Sequence, residues 1–192
     1  MRWLVASMVY VALVWPLAAQ TLDQTYSFIR DKIESCPFTD DHLTNDHLYK
    51  VSTHYAPSVL LDKGVLTITN LIKATVNRAM TPGTDGPLGT VVSEYRFSIP
   101  LAKLLYVGPG RLDAVFFRCA TGSCINNVSR IFSVDKTQPD ITEAALLKAT
   151  SLSEHSSEIE AYGVPLCNGL ADRVRIAVNR LIAFSGGRRE PF

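Results

Sequence analysis

The chain has 192 residues, of which 47% are hydrophobic, 19% charged and 9% aromatic. That balance suits one compact domain and excludes disordered, collagenous and coiled-coil architectures. Lys and Arg number 19 against 18 Asp and Glu, and setting aside Arg2 of the leader described next leaves 18 against 18. A neutral chain has no global field to draw in DNA, RNA or acidic lipid, so nucleic acid is not an expected partner.

Residues 1–20 read as a secretory signal peptide: Arg2 is the single charge, Trp3 to Trp15 an apolar run, and Pro16 precedes the small pair Ala18 and Ala19 before Gln20. Cleavage after Ala19 or Gln20 is expected. The competing reading is an uncleaved anchor, because Trp3 to Ala19 has the length of a minimal spanning helix, about 17 residues. The small residues and the polar stretch behind them suit a peptidase better than a stop-transfer segment. No later segment is long and apolar enough to span a bilayer. Both tryptophans, Trp3 and Trp15, fall in the leader, so the mature chain has only Tyr and Phe for ring stacking.

Export to the bacterial periplasm or beyond decides how the cysteines are read. Cys36, Cys119, Cys124 and Cys167 all survive cleavage, and an even set in an oxidising compartment reads as two disulfides rather than as a metal site or a catalytic thiol. Of the three pairings, the favoured one joins Cys119 to Cys124. The strand-like run Ala114 to Phe117 leads into Ala120-Thr121-Gly122-Ser123, a hairpin tip, and Ile125 begins another apolar run. Cys36 then pairs with Cys167 by elimination, tying the end of the first helical segment to the start of the last.

In chain order, Thr21 to Cys36 predicts a helix, with Leu22, Tyr26, Ile29 and Ile33 at helical spacing, Thr21 and Gln24 at capping-box spacing, and Pro37 as its stop. Residues 38–57 are polar and aspartate-rich and read as a connection. Val59 to Leu61 and Val65 onward predict two strands about a turn at Asp62, Lys63 and Gly64. Leu66, Ile68, Ile72, Ala74 and Val76 hold one parity, with Asn70 read as a bend. A Gly- and Pro-rich loop over 81–90 leads to a further strand with Val91, Tyr95, Phe97 and Ile99 in alternation. Leu101 to Val107 reads as a short turn and strand, 108–110 as a turn around Pro109, and Leu112 to Cys119 with Cys124 to Val134 as a hairpin. Asp140 and Glu143 open a short helix over Ala144 to Ala149, and the serine-rich stretch 151–157 reads as exposed and flexible. Leu170, Val174, Ala177, Val178 and Leu181 make the apolar stripe of a last helix that Asn168 would start and Gly186 end.

The expected product is a single α+β domain over 21–192: an N-terminal helix and polar connection (21–57), strands (58–134) and a helical C-terminal part (135–192). An antiparallel sheet or partly open barrel packed by the C-terminal amphipathic helix buries both faces most simply. Strands followed by one C-terminal helix, from Val59 to Ser185, resemble the pleckstrin-homology-like superfold, and the leader with its first helix is similar to many uncharacterised exported bacterial proteins. Phosphoinositide-binding members of that superfold carry a basic cluster in an early strand-to-strand loop. Here that turn holds Lys63 beside Asp62, so lipid-headgroup binding is not implied.

Several residue groups bear on chemistry. His42, His47 and His54, with Asp40, Asp41 and Asp46, are the densest set of metal-ligand types, although their spacing matches no pair on one helix face and a polar loop gathers such residues anyway. Ser133 and Lys136 have the serine-to-lysine spacing of penicillin-recognising enzymes but follow a strand. Asn127-Val128-Ser129 spells a glycosylation sequon that is accidental in a bacterial chain. Arg173, Arg175 and Arg180, with Arg188 and Arg189, concentrate positive charge on the last helix and beyond, an interaction surface for an acidic partner or simply a solvated face. No reaction has an assembled nucleophile, base and charge stabiliser, and no cofactor is implied. The sequence therefore favours an exported, non-enzymatic module that binds another protein or an envelope component. The alternative is an envelope hydrolase assembled from sequence-distant His, Asp and Ser, which a cleft placing His42 or His47 beside Ser or Asp would favour.

Overall fold

The computed structural model of the chain describes residues 21–79, 87–107, 113–150, 155–167 and 169–187. The expected signal peptide, most of the 81–90 loop, the Pro109 turn and the Asn168 cap lie outside the described residues.

The first helix, α1 (Leu22–Glu34), is started by the expected capping box: the Gln24 N–H donates to Thr21 Oγ1 at 3.2 Å and the Thr21 N–H to Gln24 Oε1 at 3.0 Å. It buries Ile29 and Ile33. After Pro37 the structure departs from the expected polar connection over 38–57, because β1 (Phe38–Leu43) and β2 (Tyr49–Asp62) pair there in antiparallel fashion. The reason is position in the sheet. β1 is an edge strand exposed along nearly its whole length, so its Asp and His residues carry no burial signal, whereas Val51 and Thr53 of β2 are buried at alternate positions.

Lys63 and Gly64, with φ of 47° and 77°, make the two-residue turn into β3 (Val65–Arg78), since a turn matched to strand twist needs positive φ at both positions. Asn70 does not interrupt β3; it stays in register between Pro57 and Tyr95. β4 (Gly89–Pro100) follows, then a 3-10 turn at Leu101–Lys103, β5 (Ala114–Arg118) and β6 (Ile125–Lys136). The helix α2 (Glu143–Thr150) starts with the Ala145 N–H bonded to Thr142 Oγ1 at 3.1 Å.

Beyond α2 the expected helical C-terminal part contains two strands, β7 (His155–Ile159) and β8 (Ala161–Pro165), before α3 (Ala171–Phe184). Residues 155–157 thus belong to a ladder rather than a flexible stretch; Ser156 and Ser157 pair with Val128 and Asn127 of β6. Leu170, which offers no side-chain cap, occupies the N-cap position of α3. Its C-terminus is closed by Gly186 N–H to Ala183 O at 3.2 Å and Gly187 N–H to Ile182 O at 2.9 Å. Asn179 on the flank of α3 bonds both the N–H and the C=O of Val107.

Six strands form one open antiparallel sheet in the order β1-β2-β3-β4-β6-β7, while β5 and β8 form a separate two-stranded ribbon. The expected β5–β6 hairpin is therefore not made. Cys119 and Cys124 do bond to each other, but their disulfide links the ribbon to the large sheet. Both cysteine N–H groups donate to the β7–β8 junction, Cys119 to Glu160 O at 2.9 Å and Cys124 to Ile159 O at 3.2 Å. A five-residue spacing fits either arrangement, and the distant partner β8 decides between them. Cys36 bonds to Cys167 across a sequence separation of 131, tying the end of α1 to the segment before α3.

One face of the sheet is covered. Near one end, α1, α3 and the ribbon enclose a core of Ile29, Ile33, Leu66, Ile68, Ile99, Val115, Phe117, Val178 and Leu181. Near the other, α2 sets Leu146 and Ala149 on Val51, Ala74, Val76 and Val91. α2 sits so close to β4 that a Cβ at Gly89 would lie 2.6 Å from Leu146 Cδ1 and 2.5 Å from Asp135 O. Chain-entropy reasoning ranks the two disulfides: removing Cys36–Cys167 by paired Ala substitution should cost about 5 kcal/mol and removing Cys119–Cys124 about 2 kcal/mol. Urea unfolding of the two double variants measures the difference.

Candidate functional site

The covered face of the sheet is apolar at both ends and polar in the middle. In register across the strands, Tyr55, Ile72 and Ser93 form one row, and Asn70, Tyr95 and Ser129 the next. These are inward positions by the two-residue alternation that buries Leu66, Ile68, Val76 and Val91. Over this band lies a cleft of about 330 Å³. Asn70, Ile72 and Tyr95 form its floor, Phe38 and Tyr55 one side, Phe97 and Tyr162 the other, with Thr150 at the end of α2 and Pro165 of β8 at its margins.

The rings are ordered in pairs. Phe38 stacks on Tyr55 at a centroid distance of 4.1 Å, and Phe97 on Tyr162 at 3.6 Å. The Asn70 amide donates from Nδ2 to Tyr162 Oη at 2.9 Å, joining β3 of the large sheet to β8 of the ribbon. Burial pushes the Tyr162 phenol up to about 12, against a smaller lowering by the Asn70 bond. Tyr55 is raised as well, first by burial and then by the nearby Asp40 carboxylate and Tyr95, and Tyr95 is raised by burial alone. Among the described residues no Lys, Arg, Asp or Glu lines the cleft, and His42 lies at its rim.

The structure separates the three candidate histidines. His42 faces the cleft with Nδ1 3.6 Å from Asp40 Oδ2, His54 lies on the opposite face of β2 beside Thr39 Oγ1 at 3.3 Å, and His47 sits in the β1–β2 turn with φ of 55°. Among the described residues no group of three His, Cys, Asp or Glu converges as a metal site. The His42–Asp40 pair at the cleft is the kind of arrangement that favours the hydrolase alternative; beside it, among the described residues, the cleft offers the hydroxyls of Thr53, Thr150 and the tyrosines and no serine. Thr150 Oγ1 is bonded back to the carbonyls of Leu146 and Leu147. Ser133 and Lys136 lie on β6, where a three-residue spacing sends side chains to opposite faces instead of stacking them on a helical turn. Asn127 of the sequon is buried.

The arginines of α3 engage their own surroundings. Arg173 lies over the Phe28 ring at 5.6 Å, Arg175 pairs with Asp172 at 3.2 Å, and Arg180 shares a shallow groove of about 240 Å³ with Phe28, Arg173 and Ile176. Arg188 and Arg189 lie outside the described residues. A larger hollow of about 500 Å³ lies between the β1–β2 turn and α2, lined by turn residues such as Thr44 and Asp46 and by Leu43, Tyr49 and Lys148 of the flanking elements. The aromatic cleft, built on paired strands, is the more pre-organised of the two.

Phe38, Tyr55, Asn70 and Tyr162 escape recognition from sequence alone. Their available signal is Asn70, a polar residue at the parity of the buried set in β3. No protein-family model, curated protein or solved structure matches the chain.

The raised Tyr162 group carries a pH signature. Its folded value of about 12 exceeds that of a free phenol, so the folded state holds the proton longer than the unfolded chain. Its contribution to stability is complete below about pH 10 and is lost as pH rises toward 12. Tyr162→Phe should flatten the alkaline fall in stability over that window, as measured by urea midpoints at stepped pH.

Proposed function

We propose that the chain is an exported, periplasmic, non-enzymatic binding protein whose ligand enters the aromatic cleft. The observation that carries this reading is the cleft itself: between two packed apolar cores, the same sheet face holds an open, ring-lined space of about 330 Å³, within the range of small-molecule sites and, among the described residues, lined by no Lys, Arg, Asp or Glu. Two disulfides fit an oxidising, exported environment, and among the described residues no helix is long and apolar enough to cross a membrane. The charged leader and its small-residue cleavage site support the same destination. Stacked ring pairs, one held by strand register and one joining the ribbon to the sheet, provide contact area at little cost in side-chain entropy, which suits recognition more than bond-breaking.

Native mass spectrometry of the protein taken from its own periplasmic fraction tests this reading. The expected species lacks the leader, carries both disulfides and bears a small-molecule adduct that Tyr55→Ala loses. A full-length cytosolic chain overturns export. A bare chain, or an adduct that persists in Tyr55→Ala, overturns the cleft as the binding site.

A further inference from the structure

The hydrogen-bonding capacity of the cleft narrows what it can hold, given the binding reading above. Tyr162 Oη accepts from Asn70 Nδ2, so its own proton remains to be donated, and the cleft wall offers it to an incoming acceptor. Two further polar atoms lie on the inward rows that flank Tyr95: Ser93 Oγ and Asn127 Oδ1, both in residues more than nine-tenths buried, make no hydrogen bond. Ser93 pairs in register with Ile72 and Asn127 with Phe97, and both of those partners line the cleft. Neither Ser93 nor Asn127 lines the cleft itself, so the groups a ligand meets there are the hydroxyls of its tyrosines and threonines, Asn70 and His42. Among the described lining residues no Lys or Arg would meet an anion and no Asp or Glu a cation, so a charged ligand would lose its hydration with no fixed charge of opposite sign in contact. The two ring pairs favour flat partners, and the volume is that of the smallest ligand pockets, about 300 Å³.

We propose that the cleft binds an uncharged compound of one or two rings bearing a carbonyl or hydroxyl oxygen, its flat body between the Phe38–Tyr55 and Phe97–Tyr162 pairs and its oxygen accepting the Tyr162 proton.

The probe is 6-acetyl-2-dimethylaminonaphthalene, a neutral two-ring ketone whose emission moves to the blue in apolar surroundings and back to the red when its carbonyl accepts a hydrogen bond. It should bind the disulfide-bonded protein with a blue shift. Tyr162→Phe, which keeps the ring stacked on Phe97, should weaken binding about tenfold, the worth of one hydrogen bond, and move the bound emission further to the blue. On the unaltered protein, 2-dimethylaminonaphthalene, which lacks the acetyl oxygen, should bind about tenfold more weakly than the ketone. Equal binding of these two probes, or no change in affinity and emission in Tyr162→Phe, overturns the acceptor assignment. Tighter binding of 8-anilino-1-naphthalenesulfonate than of the ketone overturns the uncharged class. Failure of all three probes overturns this inference alone, because the adduct lost in Tyr55→Ala decides separately whether the cleft binds anything.

Discussion

The length of the strands governs this molecule. β2 and β3 have 14 residues each and β4 and β6 have 12, so the sheet runs to about 46 Å at about 3.3 Å per residue. Its helices are far shorter: α3, with 14 residues, extends about 21 Å and α2, with 8, about 12 Å. No single helix shields such a face, and two separate covers do so instead, one near each end. The middle of the sheet is left to polar and aromatic side chains, which is why the cleft and the two apolar cores are parts of one arrangement.

The remaining elements hold those covers in place. β1 reaches only to Phe38, opposite Tyr55, and past that point α1 takes over the open edge of β2: the Val59 N–H donates to Glu34 Oε1 at 2.8 Å and its carbonyl accepts from Tyr26 Oη at 3.0 Å. Pro57, without an N–H, falls between the two partners at a place where a ladder donor would be idle. β8, which contributes Tyr162 to the cleft wall, is fixed at both ends. Glu160 just before it accepts from Cys119, and Cys167 just after it is bonded to Cys36. The disulfides therefore brace the frame of the cleft as well as the chain as a whole.

Much of this was legible in the sequence where the signal is local. The capping box of α1, the stripe of α3, the Lys63–Gly64 turn and the alternation through β3 and β4 each lie within a dozen or so residues and each is present. What sequence reasoning missed is long-range. β5 joins β8 rather than its neighbour β6, a choice made by a segment some forty residues away. β1 and the start of β7 are polar because they edge the sheet, and exposed strands lack the apolar alternation that marks buried ones. Asn70 looked like an interruption of an apolar run, and is instead the anchor of Tyr162. The cleft could not be seen as such because its residues come from five strands and the end of α2, four of the strands joined by register and β8 brought over them by the fold of the ribbon.

The wiring of the large core also bears on when the molecule can close. That core takes Ile29 and Ile33 from the first helix and Val174 to Ile182 from the last, and Cys36 waits for a partner 131 positions downstream. The first helix has β2 to dock on, through Tyr26 and Glu34, but a polypeptide delivered amino end first completes this core only when the last helix arrives. Closure of both the large core and its long-range disulfide is thus set by the last pieces of the chain to be made.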